Sequence, residues 1–148
     1  MKFEACGPES PRMIASRVVS LPRAIVFDLD GTLCDSYAPI TASLNAARAA
    51  FGLPPVTLQQ VKREVGRGLE SLVKDHLGAD RVADGVAVFR STYATVFLEG
   101  TKPLDGVPEV LQRLARSGIE LAVASNKPAR FGRPIIERLG LAQAVRIV

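Results

Sequence analysis

The sequence is poor in the residues that carry redox and transition-metal chemistry. It has two cysteines, Cys6 and Cys34, and a single histidine, His76. The two cysteines give neither a disulfide framework nor the close spacing of a metal site, which is typical of a protein from a reducing compartment. We therefore expect neither cysteine to be catalytic, and we expect His76 to be a surface residue of a helix.

Long apolar runs and blocks of basic residues interleaved with aromatics are also missing. No stretch approaches the roughly 20 apolar residues that span a bilayer. Residues 1–22 carry early charges and prolines where a signal peptide would have an apolar core. The net charge is +4 with scattered lysines and arginines, which suits a small anionic substrate and disfavours nucleic acid. The sequence predicts a cytoplasmic protein with no membrane or nucleic-acid partner and a poorly ordered tail at residues 1–22.

The patterns that are present fit one α/β core with an insertion. A chain of 148 residues is long enough for a small core plus an inserted segment. Short apolar runs at AIVF, IELAVAS and AVRIV predict strands, and the last two are separated by a helical pattern. Right-handed crossovers would make these strands parallel. We predict a Rossmann-like parallel sheet built from residues 23–35 and 100–148.

Between these two parts, residues 36–99 show helical spacing and no convincing strand. The apolar spacing predicts a first helix from about Ala38 to Phe51, and Thr57 to Gln60 has the form of a capping box that opens a second. A third helix is expected to end at Gly78, and a fourth to run over about residues 81–98. We predict that residues 36–99 form a helical cap over the core.

The stretch AIVFDLDGTLCDS places Asp28 and Asp30 at the end of the first predicted strand. In an extended chain their Cα atoms lie about 6.6 Å apart on one side, and Leu29 points to the other. A turn explains Asp30 with Gly31, but an unpaired charge at the end of a buried strand needs a cation or a charged ligand. Mg²⁺ is bound by one or two carboxylates together with water and phosphate oxygens. The pair therefore predicts a phosphoryl site.

In such a site the two acids would divide the work. One carboxylate would attack phosphorus, and the other would protonate the leaving oxygen and later deprotonate water. Gly31 and Thr32 would supply backbone N–H groups to a phosphoryl oxygen.

FDLDGTLCDS resembles the first motif of the haloacid dehalogenase (HAD) superfamily of phosphohydrolases, and LAVASNKP resembles the second. TKPLDGVPEVLQRLARSGIELAVASNKP and the cap segment VGRGLESLV are similar to the phosphoglycolate phosphatase branch. The resemblance implies Asp28 as nucleophile and Mg²⁺ ligand. It implies Asp30 as general acid/base and as a Mg²⁺ ligand through its backbone carbonyl. Ser125 would hold the phosphoryl group through its hydroxyl, and Asn126 through its backbone N–H.

Other residues have competing interpretations. Ser125 alone could equally cap the following helix, although the first motif favours phosphate binding. Arg67 could meet a substrate carboxylate, but a solvated arginine at a helix start is the more common case. Lys127 is expected to be a solvated lysine at the start of a helix, and Lys102 to lie where the cap rejoins the core.

The sequence departs from the family in its later motifs. The lysine and the acidic Gly-Asp motif of a complete HAD phosphatase are absent from it, and loss of one charge stabiliser costs on the order of 100 to 1000 in rate. We therefore expect the chain to be the front part of a longer Mg²⁺-dependent phosphatase that acts on a small phosphorylated metabolite such as 2-phosphoglycolate. The alternatives are an inactive phosphate-binding or interaction module and a sugar-phosphate mutase. The apolar terminal strand AVRIV favours self-association.

Overall fold

A computed structural model of the chain describes residues 22–147, and the side chains of residues 22–145. The predictions about the tail, about Cys6 and about Val148 in the last strand lie outside the described residues. The elements follow in chain order as β1 (Ala24–Phe27), β2 (Cys34–Asp35), α1 (Tyr37–Ala50), α2 (Leu58–Glu64), α3 (Leu69–Leu77), α4 (Val82–Val96), β3 (Lys102–Pro103), α5 (Val107–Arg116), β4 (Glu120–Val123), α6 (Ala129–Arg138) and β5 (Arg146–Ile147). A 3₁₀ turn at Ala79–Arg81 precedes α4. Within the described part, no helix is long and apolar enough to cross a membrane.

The central sheet is parallel, with the strand order β1-β4-β5. Phe27 pairs with Val123, so the carboxyl ends of β1 and β4 are neighbours. The predicted α/β class and Rossmann-like parallel sheet are confirmed. The strand β5 lies at one edge of this sheet, and self-association through it stays a prediction.

The strand β1 is half-buried, and the prediction of a fully buried strand was wrong. Ile25 and Phe27 pack against the core cluster, whereas Val26 is 62% exposed. Alternate side chains of a strand point to opposite faces of the sheet. The core cluster covers one of these faces, and both α5 and α6 contribute side chains to it. Among the described residues, Val26 lies on the face that this cluster does not cover, which explains why the burial of this apolar strand alternates.

The helical segment between β2 and β3, which comprises α1 to α4, has its own hydrophobic cluster, to which all four helices and Phe131 from α6 contribute. The capping box at Thr57 is confirmed, with Gln60 as its partner. Position 85, inside α4, requires glycine because a Cβ there would be 2.7 Å from Val73 and 2.6 Å from Leu77. Its missing side chain lets α3 and α4 approach each other closely.

A short antiparallel pair that the sequence did not predict joins the two ends of this segment. Cys34 pairs with Pro103 and Asp35 with Lys102. Strands of two residues carry no periodicity, so no pattern could indicate them. The pair lies within two or three residues of the predicted cap boundaries at 36 and 99, which stay a prediction.

Candidate active site

The adjacent carboxyl ends of β1 and β4 open onto a cavity of about 500 Å³ between the sheet and the helical segment. Ligands of open parallel sheets bind in this position. Besides Tyr93, six polar or charged residues contribute to the cavity wall: Asp28, Asp30, Arg90, Ser125, Asn126 and Lys127. Four of them are site residues expected from the sequence, and Arg90 and Lys127 are additional.

Asp28 is exposed towards this cavity. The expectation that it would be a buried charge was therefore wrong, because the chain leaves β1 at this residue. Among residues 22–147, its carboxylate makes no hydrogen bond or ion pair to another side chain. An exposed carboxylate with no competing partner is available to attack an electrophile or to bind a cation.

Asp30 is held from two sides. The Ser36 hydroxyl donates to Oδ1, and the Lys127 ammonium lies 3.2 Å from Oδ2. The Asp30 side chain is 13% exposed, and polar atoms so enclosed are costly unless they have hydrogen-bond partners. Both oxygens are thus oriented before any ligand arrives.

Lys127 is the residue that sequence reasoning misjudged most. Its side chain is 6% exposed, so the expectation of a solvated lysine was wrong. Burial lowers the pKa of Lys127, but Asp30 and the Tyr93 hydroxyl together raise it, so that the net shift is upwards. The site therefore contains a fixed positive charge beside Asp30.

Gly31 and Thr32 form the turn that places Asp30, and their backbone groups are engaged within it. The Gly31 N–H donates to the Cys34 carbonyl at 2.8 Å, and the Thr32 N–H donates to the Leu29 carbonyl at 3.3 Å. Neither residue lines the cavity. Both N–H groups are donors in hydrogen bonds within the turn. This arrangement disagrees with the prediction that they face a phosphoryl oxygen.

The turn predicts a difference between two glycine substitutions. Gly31 has φ +80° and Gly118 has φ +74°, so alanine at either costs about 1–2 kcal/mol of backbone strain. A Cβ on Gly31 would also lie 2.1 Å from the Tyr37 hydroxyl, whereas a Cβ on Gly118 has nothing within 4 Å. We expect Gly31→Ala to lower the free energy of unfolding by more than Gly118→Ala does, as measured by denaturant titration. Equal losses would contradict this packing.

Ser125 and Asn126 follow β4 at the cavity. The Ser125 hydroxyl accepts from the Lys127 N–H at 3.3 Å, and Pro128, not Ser125, is the residue before α6. This removes the alternative in which Ser125 is the N-cap of that helix. The Asn126 side chain donates to the Gly66 carbonyl at 2.7 Å, which ties the core to the helical segment.

Neither Arg67 nor His76 lines this cavity, although Gly66 and Gly68 on either side of Arg67 do. Arg67 is exposed and paired with Asp75, which agrees with the solvated alternative. The imidazole of His76 is 11% exposed and pairs with Glu64, so the prediction of a surface histidine was wrong. Its partner is twelve residues away, a separation that helical spacing does not reveal.

Arg90 is the cation of the helical segment that contributes to the cavity wall. One of its terminal nitrogens bonds Glu70 at 2.9 Å, and its Nε is buried without a hydrogen-bond partner among the described residues. A buried N–H without a partner is costly, but this Nε is inaccessible, so a ligand would have to reach Arg90 through the rest of its side chain, which is 42% exposed. No sequence motif surrounds Arg90 on α4, so the sequence alone did not predict that this residue contributes to the cavity.

Cys34 is fully buried beside the acids. Burial, and after it Asp30, raises the pKa of its thiol to about 12. The thiol is therefore neutral at physiological pH and is a poor nucleophile, in agreement with the expectation that it is not catalytic.

The donor set limits which metal could bind. The part of the chain that the structure describes has no group of three or more histidine, cysteine or acidic side chains, as a transition metal would require. Two acids at one cavity, one of them free, fit Mg²⁺, which keeps several waters and phosphate ligands. The residues present thus fit the cation that the resemblance implies.

The fold is that of an α/β protein with a Rossmann-like sheet and a helical insertion after its first strand. The sequence model of the haloacid dehalogenase-like hydrolases matches residues 25–148, so the chain belongs to that family. The resemblance stated from the motifs is thereby confirmed.

Individual relatives point to one branch of the family. The chain is 36% identical over 130 residues to the N-acetylmuramic acid 6-phosphate phosphatase of Pseudomonas aeruginosa, covering 85% of this chain and 58% of the relative. It is 35% identical over 135 residues to phosphoglycolate phosphatase 1 of the same organism, covering 85% and 49%. A crystal structure described as a predicted phosphatase from Clostridium acetobutylicum superposes with a TM-score of 0.81 at 29% identity, covering 87% and 61%. The chain thus spans about half to three fifths of the length of these proteins.

Proposed function

We propose that the protein is a phosphatase that hydrolyses a small phosphate monoester with the help of Mg²⁺, through a phosphoryl group carried on Asp28. The observation that carries the proposal is the pairing at the cavity of an exposed, unpartnered Asp28 with an enclosed Asp30. Two carboxylates in such different surroundings suit the different tasks of nucleophile and proton carrier. Family membership supports the same reaction class.

The proposed reaction has two steps, and in each step one bond to phosphorus forms while another breaks. An oxygen of Asp28 forms a bond to phosphorus as the bond from phosphorus to the leaving oxygen breaks, and Asp30 gives its proton to that oxygen. Water then attacks the phosphoryl group on Asp28, Asp30 takes a proton from the water, and the bond to Asp28 breaks. The products are an alcohol and inorganic phosphate, and both aspartates return to their starting states.

The remaining polar groups would bind and orient the phosphate. Ser125 would donate its hydroxyl to a phosphoryl oxygen, and Asn126 its backbone N–H. Lys127 would stabilise the Asp30 carboxylate that is left after the proton has moved. The Asp28 carboxylate and the Asp30 backbone carbonyl would hold Mg²⁺, which supplies positive charge to the phosphoryl oxygens.

The cavity wall supports a substrate with a carboxylate. Arg90 contributes to the cavity wall with a side chain that is 42% exposed, and an arginine fork suits a carboxylate. The substrates named for the two Pseudomonas relatives, phosphoglycolate and N-acetylmuramic acid 6-phosphate, both contain a carboxyl group and a phosphate. We propose that the natural substrate is a small phosphorylated acid of the 2-phosphoglycolate kind. Arg90 would then bind its carboxylate, the role that the sequence suggested for Arg67.

The test measures phosphate release by the protein isolated from its native source. The substrates are pairs of phosphate monoesters, one of which carries a carboxylate that the other lacks. We expect 2-phosphoglycolate to be preferred over 2-hydroxyethyl phosphate, and the preference to disappear in Arg90→Gln but not in the exposed Arg67→Gln. Chelation by EDTA should stop release, and added Mg²⁺ should restore it. Release that persists in EDTA would contradict the role of Mg²⁺.

A different outcome would favour the second interpretation of the sequence, a phosphate-binding module without turnover. Binding of a phosphate mimic with no release above background from any monoester would point to that function. Transfer of the phosphoryl group to a second hydroxyl of a sugar phosphate, instead of to water, would point to a mutase.

A further inference from the structure

The hydroxyl of Tyr93 connects the helical segment to the acid/base side of the site. Tyr93 lies on α4 and is 3% exposed. The Lys127 ammonium donates to the Tyr93 hydroxyl at 2.6 Å, across 34 residues of sequence. Burial raises the pKa of Tyr93, with Lys127 acting against that shift, so the hydroxyl remains protonated and accepts through a lone pair.

The same ammonium bonds Asp30, so that three side chains form a continuous chain. The Lys127 nitrogen lies 3.2 Å from Oδ2 of Asp30 and 4.6 Å from the centre of the Tyr93 ring. A lysine has a flexible four-carbon stem and no preferred direction at its tip. The position of its charge against Asp30 is therefore determined by the acceptor and the ring face of Tyr93.

Tyr93 itself is held firmly. Its ring stacks on Phe89 with the centroids 5.6 Å apart and meets Phe131 edge-on at 5.1 Å. Since Phe131 belongs to α6 and Phe89 to α4, both sides of the cavity fix the ring. The ring also lines the cavity, where the organic part of a substrate would contact it.

We propose that Tyr93 is a positioning residue that holds the Lys127 ammonium against Asp30, so that the placement of α4 over the sheet governs the alignment of the proton carrier. This inference rests on the proposed function. For the first step, which kcat/KM reports, it predicts a defect only where the leaving oxygen must receive a proton. An alkyl leaving group needs that proton, whereas p-nitrophenolate leaves without it. The second step, in which Asp30 deprotonates water, is common to all substrates.

The substitution Tyr93→Phe tests this because it removes one oxygen and keeps the ring. Loss of a hydrogen bond to a charged group predicts that kcat/KM for an alkyl phosphate falls about tenfold. The kcat/KM for p-nitrophenyl phosphate should change less than about twofold, and the thermal midpoint of unfolding should shift by only a degree or two. The control Tyr37→Phe removes a hydroxyl near Gly31 that does not touch Lys127, and it should leave both substrates unaffected.

A second measurement does not depend on turnover. In NMR spectra of the unaltered protein, the ammonium protons of Lys127 should exchange slowly with water because they are hydrogen-bonded and buried, and Tyr93→Phe should speed that exchange. Equal losses of kcat/KM on both substrates, or unchanged ammonium exchange, would overturn the positioning role. If the unaltered protein releases no phosphate at all, the proposed function fails, and the ammonium measurement still decides whether Tyr93 holds Lys127.

Discussion

Replacement of Asp28 by asparagine is expected to reduce Mg²⁺-dependent phosphate release by at least about a thousandfold, as loss of a catalytic nucleophile does elsewhere. The amide keeps the size of the carboxylate but is too weak a nucleophile to form a bond to phosphorus. Because Asp28 is exposed and makes no hydrogen bond or ion pair with another described side chain, the fold should not change. The measurement is the rate of phosphate release from 2-phosphoglycolate, with the thermal midpoint as the check on folding.

The matched control is Asp105→Asn, the same chemical change at an exposed acid of the loop between β3 and α5. It should release phosphate at the unaltered rate. Rapid acid quenching of the unaltered protein should give a species heavier by one phosphoryl group, and Asp28→Asn should not form it. Equal release by Asp28→Asn and the unaltered protein would exclude Asp28 as the nucleophile.

The parts of the site that could be predicted are those that depend on strand ends. Each strand is a local pattern, and the carboxyl ends of neighbouring parallel strands meet at one edge of the sheet. Asp28, Asp30 and Ser125 each follow such a strand, so their shared cavity could be expected before any coordinates. The family motifs assigned their roles but added nothing to that geometry.

The parts that could not be predicted depend on contacts between distant segments. Lys127 was misjudged because a lysine at the start of a helix is usually solvated, whereas this one is enclosed by its contact with Tyr93 on α4. Arg90 lies in a regular helix, and only the packing of that helix against the sheet brings it to the cavity. The N–H groups of Gly31 and Thr32 were misassigned because a turn can either present its amides to a ligand or use them internally, and both choices have the same sequence.

The buried lysine gives the second large effect. We expect Lys127→Met to reduce phosphate release by about 100- to 1000-fold, the usual loss for one preorganised charged group. Methionine fills similar space, so the main change is that Asp30 keeps only the Ser36 hydroxyl as a partner. Lys74→Met, at an exposed position of α3, makes the same change on the surface and should leave the rate unaltered. Removal of a charged group that takes part in the reaction lowers the rate by far more than about threefold. A rate within about threefold of the unaltered protein would therefore show that Lys127 is only structural.

Combining Lys127→Met with Tyr93→Phe separates the two roles. Residues that act through one another are non-additive, whereas independent residues multiply their effects. If Tyr93 acts only by holding the Lys127 ammonium, its hydroxyl has nothing left to position once that ammonium is gone. The double variant should then release phosphate from an alkyl ester as fast as Lys127→Met alone. A further tenfold loss in the double variant would mean that the hydroxyl meets the substrate directly, since it lies on the same cavity wall.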